Sequence, residues 1–457
     1  MGQIISSVVA TVVEMRLEDK LLPWRNPSIG WFALWLPGFV GYMYLLMGHI
    51  NAKPSIGSIE VYSAAAMSKL FYTGSAKQLQ TSIEVIAGQN VWTEGPLWVH
   101  DESSSLSYLL YSDTVLNKIY RWEEGRGFFT VGKTIHLHGS GTRNATYAAS
   151  MYEAGSNGLI GVHPRLLAKG APSSSVDLLA AQHGDRAISL LRENGTRSLV
   201  ASHYKGQRLN SPNDLVYSPE GHLYFTDPPY GLVRNSGGGA VAPELQELGF
   251  SGVYMISAGD LQQALESGQP TANVRLLHDG LSSPNGLAFS PDFSKLYVSN
   301  SDARHPVIVV FDVSSMSGAL ANARVFYDGS AAFSCAAGGA EVAGGTVAGG
   351  AEVAGGAGGA EGGDAGAGVC DSAADSRVGV PDGLKVDIHG NVLASGPGGV
   401  LVLSPQGELL GRLRLPDKVS NLAFGADGRL YITASDKVLR LRVRTKSAPR
   451  GEQAGKK

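Results

Sequence analysis

The chain has 457 residues, with 37 Lys and Arg against 40 Asp and Glu, which gives a formal net charge of -3 at pH 7. It has no excess of positive side chains to neutralise phosphates, which argues against a dedicated nucleic-acid binder. Two cysteines exclude a fold held by several disulfides, and 17% charged residues with 60 glycines favour a turn-rich fold made of strands.

An apolar segment near the N-terminus predicts a membrane anchor over residues 29–49. No Asp, Glu, Lys or Arg occurs between Asn26 and Ala52, and the run from Ile29 to Met47 is 19 residues long. At about 1.5 Å per residue, such a helix spans a hydrocarbon layer of roughly 30 Å. The alternatives are a cleaved signal peptide and a buried helix.

The basic residues around this segment predict its orientation. Three precede it and only Lys53 follows closely, so the positive-inside bias leaves a leader of residues 1–28 in the cytosol. Residues 50–81 are then a linker, and the bulk of the chain lies in the lumen of the endoplasmic reticulum or secretory pathway, or outside the cell. We therefore expect a single-pass membrane protein, with targeting to another organelle still open.

A repeated unit occupies residues 82–444. Each copy begins with Asn, Asp or Glu, forms a strand, turns and returns in an apolar strand, as in Asn213-Asp-Leu followed by Leu223-Tyr-Phe-Thr-Asp227. Six copies without helices between them predict an all-β fold, a six-bladed β-propeller, closed by a strand from Ser82 to Gly88. The copies begin at Glu94, Asn157, Asn213, Asn285, Asp382 and Asn421.

A Gly/Ala-rich stretch interrupts the repeats, and residues 445–457 form a tail. Between Ala331 and Val369 there are 14 Gly and 13 Ala, a composition that cannot bury a core. Residues 331–376 are therefore expected to be a disordered insert. Cys335 and Cys370 bracket it, either as a disulfide in an oxidising lumen or as two separate thiols.

The residues that begin the repeats are the candidate functional site. In a propeller the innermost strand of each blade starts beside the central channel, so equivalent positions of the repeats converge there. All six side chains carry oxygen donors of the kind that Ca²⁺ prefers, which predicts a divalent cation able to polarise a substrate carbonyl. The alternative interpretation is that Asn-Gly and Asp-Gly are simply turn dipeptides.

Five sequence blocks carry a family resemblance: Glu94-Gly-Pro-Leu-Trp98, Asn210-Ser-Pro-Asn-Asp-Leu215, Tyr224-Phe-Thr-Asp-Pro-Pro-Tyr-Gly231, Ser283-Pro-Asn-Gly-Leu287 and Pro381-Asp-Gly-Leu384. Together they resemble the gluconolactonase family that includes senescence marker protein (regucalcin). The resemblance implies a six-bladed propeller that hydrolyses sugar lactones with Ca²⁺, or another divalent cation such as Zn²⁺ or Mn²⁺, in the channel. It also implies Asp382 as the general base and, as metal ligands, Glu94, Asn213, Asn285 and Asp382.

Three more residues are predicted to contact the substrate. Asn157 is expected to hold substrate hydroxyls or an outer water, with a plain turn as the alternative. His183 and Asp227 are the alternative bases. The competing interpretation makes His183 a structural hydrogen-bonding residue and Asp227 a cap of the turn before Pro228.

Two other functions stay open on the sequence. The predicted membrane anchor is absent from the soluble gluconolactonases and is similar to that of strictosidine-synthase-like propellers. A strictosidine-synthase-like or ester- or organophosphate-cleaving enzyme is therefore one alternative. The other is a non-catalytic, membrane-tethered propeller that binds a partner with its loops.

Overall fold

The computed structural model describes residues 57–71, 83–101, 106–125, 133–166, 177–192, 194–235, 241–331 and 379–449. The predicted leader, the anchor over 29–49, both cysteines and nearly all of the Gly/Ala-rich insert lie outside these ranges. Within them, no helix combines the length and the apolar character needed to span a membrane.

Two strands and a helix precede the first repeat: β1 (Ser58–Val61), α1 (Ala64–Leu70) and β2 (Glu84–Ala87). Blade 1 consists of β3 (Thr93–Asp101), β4 (Leu106–Asp113), β5 (Lys118–Glu123) and β6 (Lys133–His138). Helix α2 (Ala145–Ser150) follows. Blade 2 consists of β7 (Ser156–Gly161), β8 (Leu178–Gln182), β9 (Ala187–Leu191) and β10 (Arg197–Ala201).

A separate hairpin, β11 (His203–Tyr204) and β12 (Gln207–Arg208), leads into the third blade. Blade 3 consists of β13 (Leu215–Tyr217), β14 (Leu223–Asp227), β15 (Gly252–Ile256) and β16 (Val274–His278), with helix α3 (Ala258–Ser267) between its last two strands. Blade 4 consists of β17 (Pro284–Phe289), β18 (Lys295–Asn300), β19 (Val307–Val313) and β20 (Leu320–Asp328). Three short 3-10 helices lie at Pro164–Leu166, Tyr230–Leu232 and Pro243–Leu245.

The last two blades each recruit a strand from the beginning of the chain. Blade 5 consists of β21 (Leu384–Val386), β22 (Val392–Gly396), β23 (Gly399–Leu403) and β24 (Leu409–Arg414), with β1 as a fifth strand. Blade 6 consists of β25 (Val419–Phe424), β26 (Arg429–Ala434) and β27 (Lys437–Arg442), and β2 completes it beside β27. The predicted all-β, six-bladed propeller and its closing strand are confirmed.

The hydrophobic core is divided between the blades. Strand side chains alternate between the two faces of a sheet, so each blade presents one apolar face to each neighbour. The described residues form six apolar clusters, and each joins two adjacent blades, including one between blade 6 and blade 1. This ring of six interfaces fixes the blades around the axis on which the candidate site lies.

Part of the segment expected to be a linker is instead packed onto the propeller. Strand β1 pairs antiparallel with β24, with Ser58 opposite Arg414. Helix α1 buries Met67 and Leu70 in the core between blades 5 and 6. Seven helical residues and a four-residue strand give too short a hydrophobic pattern to be recognised beside a long apolar run.

Buried hydroxyls connect each of several blades to the next. Ser112 Oγ donates to the carbonyl of Asn157 at 2.8 Å, and Thr226 Oγ1 donates to the carbonyl of Asn285 at 2.7 Å. Ser299 Oγ likewise donates to the carbonyl of Asp382. Each hydroxyl lies one residue before the end of its blade's second strand, and each acceptor belongs to a residue that begins the next repeat. These hydrogen bonds between blades therefore hold the backbone of the candidate site.

We expect Thr226→Val to destabilise the protein, because valine keeps the shape of the side chain but leaves the buried carbonyl of Asn285 without this donor. A lost buried hydrogen bond costs about 1–2 kcal/mol, which scanning calorimetry detects as a lower melting temperature. The matched control is Thr196→Val, because Thr196 lies in an exposed turn where water replaces its hydroxyl contact. Equal melting temperatures for the two variants would contradict this role of the Thr226 hydroxyl.

Candidate active site

Five of the six residues that begin the repeats are buried around the channel axis, and the sixth, Asp382, is half-buried. Glu94 and Asn157 are each 2% exposed, Asn213 and Asn421 1%, and Asn285 4%. Backbone contacts between neighbouring blades hold them: the N–H of Gly158 donates to the carbonyl of Asn213 at 2.7 Å, and that of Gly286 to the carbonyl of Asp382 at 3.2 Å. The structure thus brings the predicted ligand positions together.

A glycine makes the close approach of blades 1 and 2 feasible. Gly95 has a φ of +51°, and a Cβ atom built on it would lie 2.0 Å from the carbonyl oxygen of Asn157. No other residue type fits both the backbone conformation and the space. The glycine of the Glu-Gly pair is thereby explained, because it lets the backbone that follows Glu94 pass against the backbone of Asn157.

Several side-chain oxygens of this ring have no hydrogen-bond partner among the described residues. They are Asn157 Oδ1, Asn213 Oδ1, Asn285 Oδ1 and Asp382 Oδ1, all without solvent contact. A buried polar atom left without a partner costs free energy, and most such atoms in folded proteins are satisfied. Four unpartnered acceptors in one ring, with the unpartnered amide nitrogen of Asn213 beside them, leave a polar demand that a bound ligand or ion would satisfy.

The two carboxylates of the ring are held in an environment that disfavours their charge. Burial raises the pKa of Glu94 to about 8, and the charge of Asp214 adds to the rise. Burial also raises the pKa of Asp382 well above its ordinary value, and the negative charges of Glu94, Glu153 and Asp214 raise it further. A cation among these groups would remove both causes, because it replaces lost hydration and offsets the like charges.

His183 lies beside the ring rather than in it. It occupies the turn between β8 and β9 and is fully buried, with Nδ1 3.2 Å from Glu153 Oε2, an ion-pair distance but not a hydrogen-bond geometry. Its ring centroid lies 6.4 Å from that of Tyr230. No sequence pattern marks Glu153, which lies just before the second repeat and outside its register.

Asp227 lies at the end of β14, and backbone groups occupy both of its oxygens. Oδ2 accepts from the N–H of Asn210 and Oδ1 from the N–H of Ser211, each at 2.8 Å. The residues at the same position of two other repeats act alike, because Asp113 accepts from the N–H of Val91 and Asn300 from that of Ser283, again at 2.8 Å. In this structure Asp227 fastens the loop that leads to Asn213. A role for Asp227 in substrate contact remains a prediction.

We expect the stability conferred by Asp227 to fall as the pH rises. Burial raises its pKa to about 7 from an ordinary 3.8, so the folded protein holds this proton more tightly than the unfolded chain. The contribution is complete below pH 4 and is lost as the pH approaches and passes 7. Melting temperatures measured from pH 4 to 8 should slope less steeply in Asp227→Asn than in the parent protein. Parallel curves would contradict the assignment.

A small, partly open cavity of about 80 Å³ continues along the channel beside the ring. Its walls are mainly apolar, from Leu97, Ile160, Tyr217 and Phe289, and Pro449 of the tail also lines it. Asp214, Lys385 and Asn421 lie on its wall as well. Of these three, only Asn421 stood out in the sequence, because Asp214 and Lys385 do not begin a repeat.

Comparison with known proteins gives one consistent family. Residues 92–436 match the model of the SMP-30/Gluconolactonase/LRE-like region. A gluconolactonase of Zymomonas mobilis subsp. mobilis is 33% identical over 371 residues, which cover 80% of this chain and 83% of that protein. A lactonohydrolase of Aspergillus oryzae is 28% identical over 227 residues, 48% of this chain and 39% of that protein.

Among solved structures, a gluconolactonase from Xanthomonas campestris is similar in fold and sequence. It aligns with a TM-score of 0.57 at 26% identity and covers 86% of this chain and 97% of that one. The similarity therefore extends over nearly the whole of that chain.

Proposed function

The chain belongs to the SMP-30/gluconolactonase/LRE-like family and is a lactonase, and we propose that it opens the ring of a sugar lactone at the channel with the help of a divalent cation. In this proposal the cation is Ca²⁺, held by Glu94, Asn213, Asn285 and Asp382. The observation that carries the proposal is the ring of buried oxygens without partners around two carboxylates for which the described residues supply no paired cation.

The donor set fits a hard cation. The described residues contain no group of three or more His, Cys, Asp and Glu side chains arranged to share a metal, so the site would rest on two carboxylates and neutral amide oxygens. Zn²⁺ in proteins favours nitrogen and sulfur ligands, whereas carboxylate and amide oxygens suit Ca²⁺ and Mn²⁺. When bound, such a cation supplies electrophilic polarisation of a carbonyl oxygen.

Asp382 is the proposed general base. In the proposal one oxygen of its carboxylate faces the cation and the other takes a proton from a water molecule. Water then bonds to the lactone carbonyl carbon, the bond from that carbon to the ring oxygen breaks, and Asp382 returns the proton to the ring oxygen. The product is the open hydroxy acid. The proposal also has Asn157 Oδ1, which has no partner among the described residues, accept hydrogen bonds from substrate hydroxyls.

A substrate panel tests the proposal. We expect the protein to hydrolyse aldonolactones much faster than aryl esters or organophosphates, as measured by kcat/KM on each class. The curated relatives described above are a gluconolactonase and a lactonohydrolase, so they do not support the ester-cleaving, strictosidine-synthase-like or purely binding alternatives. Faster turnover of aryl esters, or no turnover of any lactone, would contradict the proposal.

The predicted anchor over 29–49 and the lumenal or extracellular position of the propeller remain proposals from the sequence. They rest on the uncharged apolar run and on the basic residues before it. The lactonase proposal is independent of them.

A further inference from the structure

Lys385 is a cation among the channel carboxylates, and the chemistry above does not use it. It lies on β21, three residues after Asp382, and its side chain is 26% exposed. Its Nζ donates to Asn421 Oδ1 at 2.9 Å and to the carbonyl of Leu384 at 3.0 Å. The same atom lies 3.7 Å from Asp214 Oδ2.

These contacts fix the orientation of the Asn421 amide. Asn421 Oδ1 accepts from two donors, Lys385 Nζ and the N–H of Leu422, the latter at 2.8 Å. A flipped amide would turn its NH₂ group against both donors, so the oxygen must face the lysine. The amide nitrogen is consequently directed at two carboxylates, Glu94 Oε2 at 3.4 Å and Asp214 Oδ2 at 3.5 Å.

The directed amide in turn holds one side of the Glu94 carboxylate. Glu94 Oε2 accepts from Asn421 Nδ2 and from the N–H of Gly95 at 3.0 Å. Both bonds go to the same oxygen, so neither of them occupies Oε1. The oxygen of Asn421 already accepts from Lys385 and Leu422, so Asn421 serves as a donor and not as a further ligand.

The lysine also neutralises the third carboxylate. Asp214 is 5% exposed, and its Oδ1 accepts from the N–H of Leu215 at 2.8 Å. With Lys385 Nζ near its other oxygen, Asp214 has a cation of its own. A mobile divalent cation is thereby directed to the ring of Glu94 and Asp382 rather than to Asp214 beneath it.

We propose that Lys385 is a positioning residue that acts through Asn421 to orient Glu94 for the divalent cation and through charge to exclude Asp214 as a ligand. This inference rests on the cation site of the proposed function. Residues that orient metal ligands typically change metal affinity by 10- to 100-fold when replaced. Lys385 is therefore expected to control affinity without touching the cation.

Calorimetric titration of the full-length, cation-stripped protein with Ca²⁺ tests the inference without an activity measurement. We expect Lys385→Met to bind Ca²⁺ at least tenfold more weakly than the parent protein. The control, Lys295→Met, removes a lysine paired with Asp312 at 3.3 Å on blade 4 and should bind as the parent does. Parent and Lys385→Met proteins with equal affinity would overturn the role of Lys385 and leave the proposed function intact. A parent protein that binds no divalent cation would overturn both.

A double-mutant cycle separates positioning from a general structural effect. Asn421→Leu removes the amide donor from Glu94 and leaves the lysine in place, so it tests the same link if Lys385→Met does not fold. Because Lys385 acts largely through Asn421, adding Lys385→Met to Asn421→Leu should weaken Ca²⁺ binding by much less than it does in the parent. Strictly multiplicative losses would show that the two residues act independently and would overturn the proposed link.

Discussion

We expect Asp382→Asn to lower kcat for a sugar lactone by about a thousandfold while the propeller stays folded. The amide keeps the size of the side chain but cannot take a proton from water, and general base catalysis contributes about 10²–10⁴-fold. The backbone of residue 382 is held by Ser299 and by Ser395, whose Oγ accepts from its N–H at 2.7 Å. Neither contact involves the carboxylate, so the fold should tolerate the change.

The matched control is Asp292→Asn. Asp292 lies in a strand turn of blade 4, where it accepts hydrogen bonds from Ser290 and Ser294, and it has no place in the candidate site. This variant should retain the parent kcat. If Asp382→Asn turned over lactone at the parent rate, Asp382 would not be the base, and the alternative bases His183 and Asp227 would have to be tested next.

Removal of the divalent cation should abolish turnover and destabilise the protein, more at high pH than at low pH. Without a cation, burial and the charge of Asp214 keep the pKa of Glu94 near 8 instead of an ordinary 4.5. The folded state then holds a proton that the unfolded chain releases, so stability falls as the pH rises from about 4.5 towards 8. A cation at 100 times its dissociation constant adds about 2.7 kcal/mol, and protons compete with it at low pH.

Melting temperatures with and without EDTA, at pH 5 and pH 8, measure this linkage. The difference made by Ca²⁺ should be larger at pH 8, and readdition of Ca²⁺ after dialysis should restore turnover. In Glu94→Gln the difference should shrink and lose much of its pH dependence, because the titrating ligand is gone. Full activity in the chelated protein, with no change in melting temperature, would contradict the account.

The repeat pattern in the sequence was sufficient to predict the propeller and the meeting of the repeat-initial residues at its axis. A strand, a turn and a returning strand recur at Asn213 and Asn285 with the same register, and the equivalent starts of all blades meet at the axis of a closed ring. The prediction needed no knowledge of loop lengths. It depended on the hydrogen-bonded sheet of each blade forming locally, which the alternating apolar residues ensure.

The supporting residues could not be predicted in the same way. Lys385 and Asp214 belong to different blades, and only the ring closure brings Nζ to 3.7 Å from Oδ2. Glu153 lies outside the register of the repeats, and its carboxylate contacts His183, which lies in the turn between β8 and β9. No local periodicity reports such contacts, because they are set by the radius of the ring.

Asp227 shows where a signal was present and not used. Its counterparts Asp113 and Asn300 occupy the same position of their repeats, and all three accept backbone N–H groups from the loop before the innermost strand. A polar residue repeated at a strand end, away from the repeat start, indicates a structural function common to the blades. The same reasoning identifies the hydroxyl residue that precedes each of them as a hydrogen-bond donor to the next blade.

A crystal structure of the protein grown with Ca²⁺, or with Mn²⁺ to give an anomalous signal, tests the central claim most directly. We expect one ion on the propeller axis, with oxygens of Glu94, Asn213, Asn285 and Asp382 at about 2.4 Å and at least one coordination position open to solvent. An empty channel at saturating cation, or an ion bound elsewhere with Glu94 and Asp382 not among its ligands, would contradict the claim.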